Sequence, residues 1–198
     1  MSAAFAASFA AICAAATMQP VAAMSVRAPT FPELVAESSL VIRARVAAVT
    51  SQKVATTQGE AIKTFVTFDV AKSLKGAPSK QITLAFLGGQ VGDLRLDVPG
   101  MPTFQVGAED YLFVSPKPSL CPLVGAMHGR FRVLTVQKAG RPYVARDDHE
   151  ALVDVRDVVR PMHAVVSTAQ SIDHALSPEA FEQLIAAEVA HPTTPLLP

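Results

Sequence analysis

Alternation of side-chain polarity along two segments constrains this chain more than any other feature. In Leu40-Val41-Ile42-Arg43-Ala44-Arg45-Val46, residues Leu40, Ile42, Ala44 and Val46 share one face, and Val41, Arg43 and Arg45 the other. Across residues 62–71, Thr64, Val66, Phe68 and Val70 share a face, opposite Lys63, Phe65, Thr67 and Asp69. Successive side chains of a strand point to opposite sides, so this period of two predicts half-buried strands. Residues 50–60 between them are polar and contain Gly59, which predicts a hairpin loop. Leu74-Lys75-Gly76 with Pro78 marks a turn before a third strand over residues 81–86. Tyr111-Leu112-Phe113-Val114 is apolar throughout and predicts a central fourth strand. Residues 131–136 and 142–145 form a last hairpin across Lys138-Ala139-Gly140.

Two long Gly- and Pro-rich stretches interrupt the strands. Residues 87–108 hold Gly88, Gly89, Gly92, Pro99, Gly100, Pro102 and Gly107; residues 115–129 hold Pro116, Pro118, Cys121 and Pro122. Loops this long inside a domain are uncommon and are often functional. Helices are expected at both ends. Thr30-Phe31-Pro32-Glu33 fits a capping box with Pro in the first turn. After Arg146 the alternation stops, and Leu152, Val155, Val158 and Val159 recur at helical spacing. Ser177-Pro178-Glu179 is a helix start, and Phe181, Leu184, Ile185 and Val189 give the helix an apolar stripe. The expected fold is mainly β with helical additions. It is a small OB-like closed β-barrel of five to six strands, with a short N-terminal helix and C-terminal helices.

Composition bears on the compartment. Half of the 198 residues are hydrophobic and only 17% are charged, with a net charge of zero. Balanced charge excludes a nucleic-acid binder driven by a strong basic field. The hydrophobic excess is concentrated at the start: 18 of residues 1–23 are hydrophobic, and the first charge is Arg27. An apolar run ending at a small-residue site reads as a secretory signal peptide. Val21-Ala22-Ala23 follows Pro20 and supplies such a site, with Ala14-Ala15-Ala16 an earlier alternative. No Lys or Arg precedes the run, and an uncleaved membrane anchor is the competing reading. The expected organisation is a signal peptide over residues 1–23, an OB-like barrel domain over 24–146, and a C-terminal helical extension with a frayed tail over 147–198. Localisation is then exported, periplasmic or extracellular, with no integral span once the signal is removed. Cleavage after Ala23 leaves Cys121 as the single cysteine, so no internal disulfide can form.

The run Leu40 to Val46, Thr67-Phe68-Asp69-Val70 leading to Leu74-Lys75-Gly76, Ile82-Thr83-Leu84, and Gly107 before Tyr111-Leu112-Phe113 resemble the bacterial exported domains with a netrin or metalloproteinase-inhibitor-like OB barrel. Pro99-Gly100-Met101-Pro102-Thr103-Phe104, Leu123-Val124-Gly125 and Gly129-Arg130-Phe131-Arg132-Val133 are similar to secreted proteins associated with matrixin-type metallopeptidases. The likeness covers about residues 31–136. It implies an exported binding or accessory module, linked to a secreted metallopeptidase. Inhibitors of that superfamily chelate the protease zinc through a mature N-terminal Cys, and neither expected mature terminus begins with Cys.

No catalytic constellation stands out. Histidines at 128, 149, 163, 174 and 191 lie at least eleven positions apart, unlike the short spacing of zinc ligands. Gly88-Gly89 and Gly92 lack the Lys-Ser/Thr of a phosphate loop. Asp93 and Asp97 lack EF-hand spacing. No metal and no cofactor is therefore expected. Met101, Phe104 and Val106 form either an exposed patch for a partner or a plug for the end of the barrel. Cys121 and His128 sit in or beside one loop and are the sole nucleophile–base pair close in sequence. The expectation is a non-enzymatic exported protein that binds a protein or envelope partner through Met101, Phe104, Val106, Cys121 and His128. A cell-envelope enzyme using Cys121 and His128, or a membrane-tethered structural subunit, are the alternatives.

Overall fold

The computed structural model describes residues 27–57, 59–117, 120–136, 140–162 and 167–193. The expected signal segment, Lys138 and Ala139 of the expected last turn, and His163 lie outside the described residues.

The chain opens with α1, Phe31–Glu37. Its capping box is formed: Glu33 N–H donates to Thr30 Oγ1 at 3.4 Å, and Thr30 N–H donates to Glu33 Oε2 at 2.7 Å. That closes two otherwise unpaired donors and fixes where the helix begins. Strands β1 (Leu40–Thr56) and β2 (Gly59–Lys75) follow, each 17 residues long. The hairpin loop expected over residues 50–60 is thus almost all strand, since pairing runs on to Thr56 opposite Gly59. Thr50, Val54 and Thr56 suit extended backbone, and the polar residues of the segment are mostly exposed on the ribbon.

Strand β3 is Gln81–Leu87, and the expected 87–108 loop contains a small hairpin, β4 (Gly89–Val91) and β5 (Leu94–Leu96). The remaining strands are β6 (Glu109–Val114), β7 (Arg130–Thr135) and β8 (Pro142–Arg146). Helix α2 is Ala169–Asp173 and α3 is Pro178–Ala190, with 3₁₀ turns at Ala126–Gly129 and Val155–Val159. Ser177 caps α3 by accepting from Ala180 N–H at 3.2 Å.

The main sheet has the order β3-β2-β1-β6-β7-β8, with every neighbouring pair antiparallel. This overturns the expected closed OB-like barrel. Closure requires β3 to pair with β8, and among the described residues no such ladder forms; the β8 edge is engaged elsewhere, and the β3 edge at its last residue. On β8, Val144 N–H donates to Leu176 C=O, and Leu152 N–H donates to Val144 C=O. On β3, Leu87 N–H donates to Leu120 C=O.

Burial gives a second reason for the open form. A small barrel has one filled interior, whereas this sheet buries side chains on both faces. Val41, Tyr111, Phe113, Phe131 and Val144 pack under Leu34 of α1 and Phe181 and Ile185 of α3. Ile42, Ala44, Val46, Val66, Phe68, Phe86 and Leu112 pack on the other side under Cys121, Leu123, Met101 and Phe104. Among the described residues no helix is long and apolar enough to cross a membrane.

Candidate functional site

On the loop-covered face, the segment from β3 to β6 arches over the β1–β2 ribbon and leaves a cleft of about 430 Å³. Its floor includes Val49, Ser51, Thr64 and Phe86, and its roof includes Gln90, Arg95, Val98 and Met101. The volume lies in the range of small-ligand sites. A β-bulge sets the floor. The register passes from Val46 opposite Phe68 directly to Ala48 opposite Thr67, leaving Ala47 as the extra residue. Beyond the bulge, Val49 opposes Val66 and Ser51 opposes Thr64, so odd-numbered residues of β1 take over the face that Ile42, Ala44 and Val46 occupy before it.

The roof approaches closely at Gly89, which holds φ +126°. A Cβ there would meet Thr64 Oγ1 at 2.3 Å and Ser51 Oγ at 2.5 Å, so glycine alone allows this crossing. Those two hydroxyls are 2.9 Å apart, and Thr64 Oγ1 donates to Gly88 C=O at 2.7 Å.

A buried ion cluster holds the far end of the arch. Arg130 Nη1 donates to Thr103 C=O at 2.5 Å and to Asp147 Oδ1 at 3.0 Å, while Nη2 donates to Asp110 Oδ2 at 3.0 Å. The guanidinium stands 4.2 Å from the Phe104 ring centre, a cation–π contact. Phe104 also meets Phe86 at 4.8 Å and, edge-on, Phe68 at 5.3 Å. Burial pushes the Asp110 and Asp147 carboxyls up, and the Arg130 charge opposes that rise in both. A rigid guanidinium suits this role because its fork reaches three acceptors at once.

The five residues singled out from sequence separate. With no barrel end to plug, Phe104 is half-buried against the core and lines the cleft. Met101 is half-buried and lines the cleft. Val106 is 66% exposed. Cys121 and His128 are buried, so neither offers a surface to a partner. Burial pushes the Cys121 thiol up to about 11, against a backbone hydrogen bond at Leu123. That direction is opposite to the activation a nucleophilic thiol needs. Burial and the Arg146 charge hold His128 below its ordinary value, against a hydrogen bond with the Val158 backbone and the Asp148 charge. Neither residue is among the groups that perturb the other. Sequence reasoning missed Arg130, Asp110 and Asp147 as the anchor of the arch. The one signal was Asp110 adjoining an apolar strand, which demands a buried partner.

A second groove, about 620 Å³, lies between α1, the 155–159 turn and α3, lined by Phe31, Val155, Val159, Leu184 and Ala187. Polar groups along it are engaged locally, Arg156 with Asp154 and Glu188 with Thr193. Among the described residues there is no cluster of three or more metal-ligating side chains. The chain matches no protein-family model and no curated protein.

Proposed function

We propose that this chain is an exported, non-enzymatic binding module whose partner surface is the loop-covered face around the cleft. The observation that carries this reading is a cleft held open by its own walls. Arg130 and Phe104 tie down one end of the roof, Gly89 seats the other, and the cleft of about 430 Å³ lies between. A site organised before binding pays less ordering entropy when the partner arrives. Large exposed apolar residues lie on the segments around it: Leu94 on β5, Val106 before β6, and Leu120, whose carbonyl accepts from the cleft residue Leu87. Val49 within the cleft is 36% exposed. The uncharged apolar run over residues 1–23 supports export. The resemblance makes a secreted metallopeptidase the first partner to assay.

The test is photo-crosslinking in the native host, with a photoreactive residue at Leu94 or Val106 and a control at Leu184 on the helix face. One discrete adduct from both loop positions, absent from the control, is the expected result. Equal adducts from all three positions, or none from the loop positions, would sink the proposal.

A further inference from the structure

Strand β1 is paired on both sides only in its first half. It meets β6 from Leu40 to Arg45, and the contact ends where Val46 N–H donates to Ala108 C=O and Gly107 N–H donates to Val46 C=O. Among the described residues, the ladder to β2 is its one strand pairing from Ala48 onward.

The direction of the remaining backbone groups follows from the neighbouring ladder. Gly88 N–H donates to Ile62 C=O, and Val70 N–H donates to Lys80 C=O, so even-numbered residues of β2 turn their backbone groups away from β1. Odd-numbered residues of β2 then pair with β1, where their partners are Ala48, Thr50, Gln52 and Val54. The intervening residues Val49, Ser51, Lys53 and Ala55 therefore turn their N–H and C=O groups to the open edge. Among the described residues, none of these groups has a protein partner outside the β1–β2 ladder.

Two of the same residues, Val49 and Ser51, form part of the cleft floor. A row of alternating donors and acceptors is matched by extended polypeptide backbone, and a cleft on the same strand would take an alternate side chain. We infer that a partner protein binds by adding an extended strand to the Val49–Ala55 edge of β1 and placing one apolar side chain in the cleft. The inference rests on the binding-face reading above and deepens it by naming the mode of recognition.

The backbone chemistry supplies a selective test. Lys53 is exposed and its N–H faces outward, so Lys53→Pro removes an edge donor and no intrachain bond. Lys53→Ala keeps the donor and controls for the charge. The probe is a peptide chosen from a displayed library of random linear sequences on the immobilised chain. The expected result is a Kd weakened about tenfold or more by Lys53→Pro and little changed by Lys53→Ala, with both variants retaining the wild-type melting profile. N-methylation along the peptide should abolish binding at every second residue and be tolerated between.

Equal affinity for Lys53→Pro, N-methyl sensitivity without a period of two, or selection yielding no binder would each overturn strand addition. So would a finding that the edge is consumed by self-association of the chain in solution. If the Leu94 and Val106 adducts persist in Lys53→Pro, the binding face stands while strand addition fails. If those adducts never form, the face itself is wrong.

Discussion

Arg130 is 1% exposed and Asp110 is fully buried, so their ion pair trades a large desolvation cost for bonds that fix the arch. Removing one partner leaves the other charge stranded. Arg130→Met is expected to cost about 3–5 kcal/mol in a urea unfolding curve, the range for breaking a buried pair. The same variant should free the backbone at Thr103, which hydrogen exchange at neighbouring amides would read as lost protection. A loss below about 1 kcal/mol would place the anchor elsewhere. His128 gives a pH signature. Among the described residues its Nδ1 is buried without a partner, and burial holds its folded pKa below the ordinary 6.5. The folded state then binds fewer protons than the unfolded one as pH falls. The His128 contribution to stability is full above about pH 6.5 and declines below it, towards the lower folded pKa. Comparing urea midpoints at about pH 7.5 and about pH 5.5 should show this decline, and His128→Gln should flatten it.

Helix α3 shows how one element is locked to a sheet by both oil and charge. Phe181 stacks near Tyr111, Phe131, Phe113 and Phe31, at 5.1 to 6.4 Å between ring centres. One residue on, Glu182 accepts from Lys72 at 2.5 Å, Tyr111 at 2.9 Å and Arg43 at 3.3 Å. Burial works against the Glu182 carboxylate, but hydrogen bonds from Lys72, Tyr111 and Arg43 leave its pKa lowered. Phe181→Ala is expected to cost about 3–5 kcal/mol, and Ser177→Ala, which removes the cap, about 1 kcal/mol. Thermal melts of the two variants check that ranking.

Much at this scale was legible in the sequence. The capping box at Thr30, the cap at Ser177 and the alternation of residues 40–46 each depend on neighbours in the chain. The extension of β1 beyond Val46 was not legible, because its residues are mostly exposed and polar and carry no clean alternation to read. Nor was the cleft. Its floor and roof are brought together by Gly89 and by Arg130, through contacts that span 17 to 38 residues.

At the scale of the whole molecule, expectation and structure part over closure. The strand count and turn signals fit a barrel as well as an open sheet. What decides between them is where β3 and β8 send their outer hydrogen bonds: Leu87 pairs with Leu120 and Val144 with Leu176, both far away in the sequence, and Val144 also pairs with Leu152. The short β6 leaves β1 with an edge to offer, and a bulge residue of β1 bends that edge. Ala47 has no partner of its own in the β2 register: Val46 meets Phe68 and Ala48 meets Thr67. A chain lacking Ala47 could keep every cross-strand pair of the β1–β2 ladder and would lose the bend. The core would then be blind to the deletion, while a partner that docks on the ribbon would find its target swung aside. That separates stability from aim. A des-Ala47 chain should melt close to wild type and bind the selected peptide poorly, and unchanged binding would show that the bend has no part in recognition.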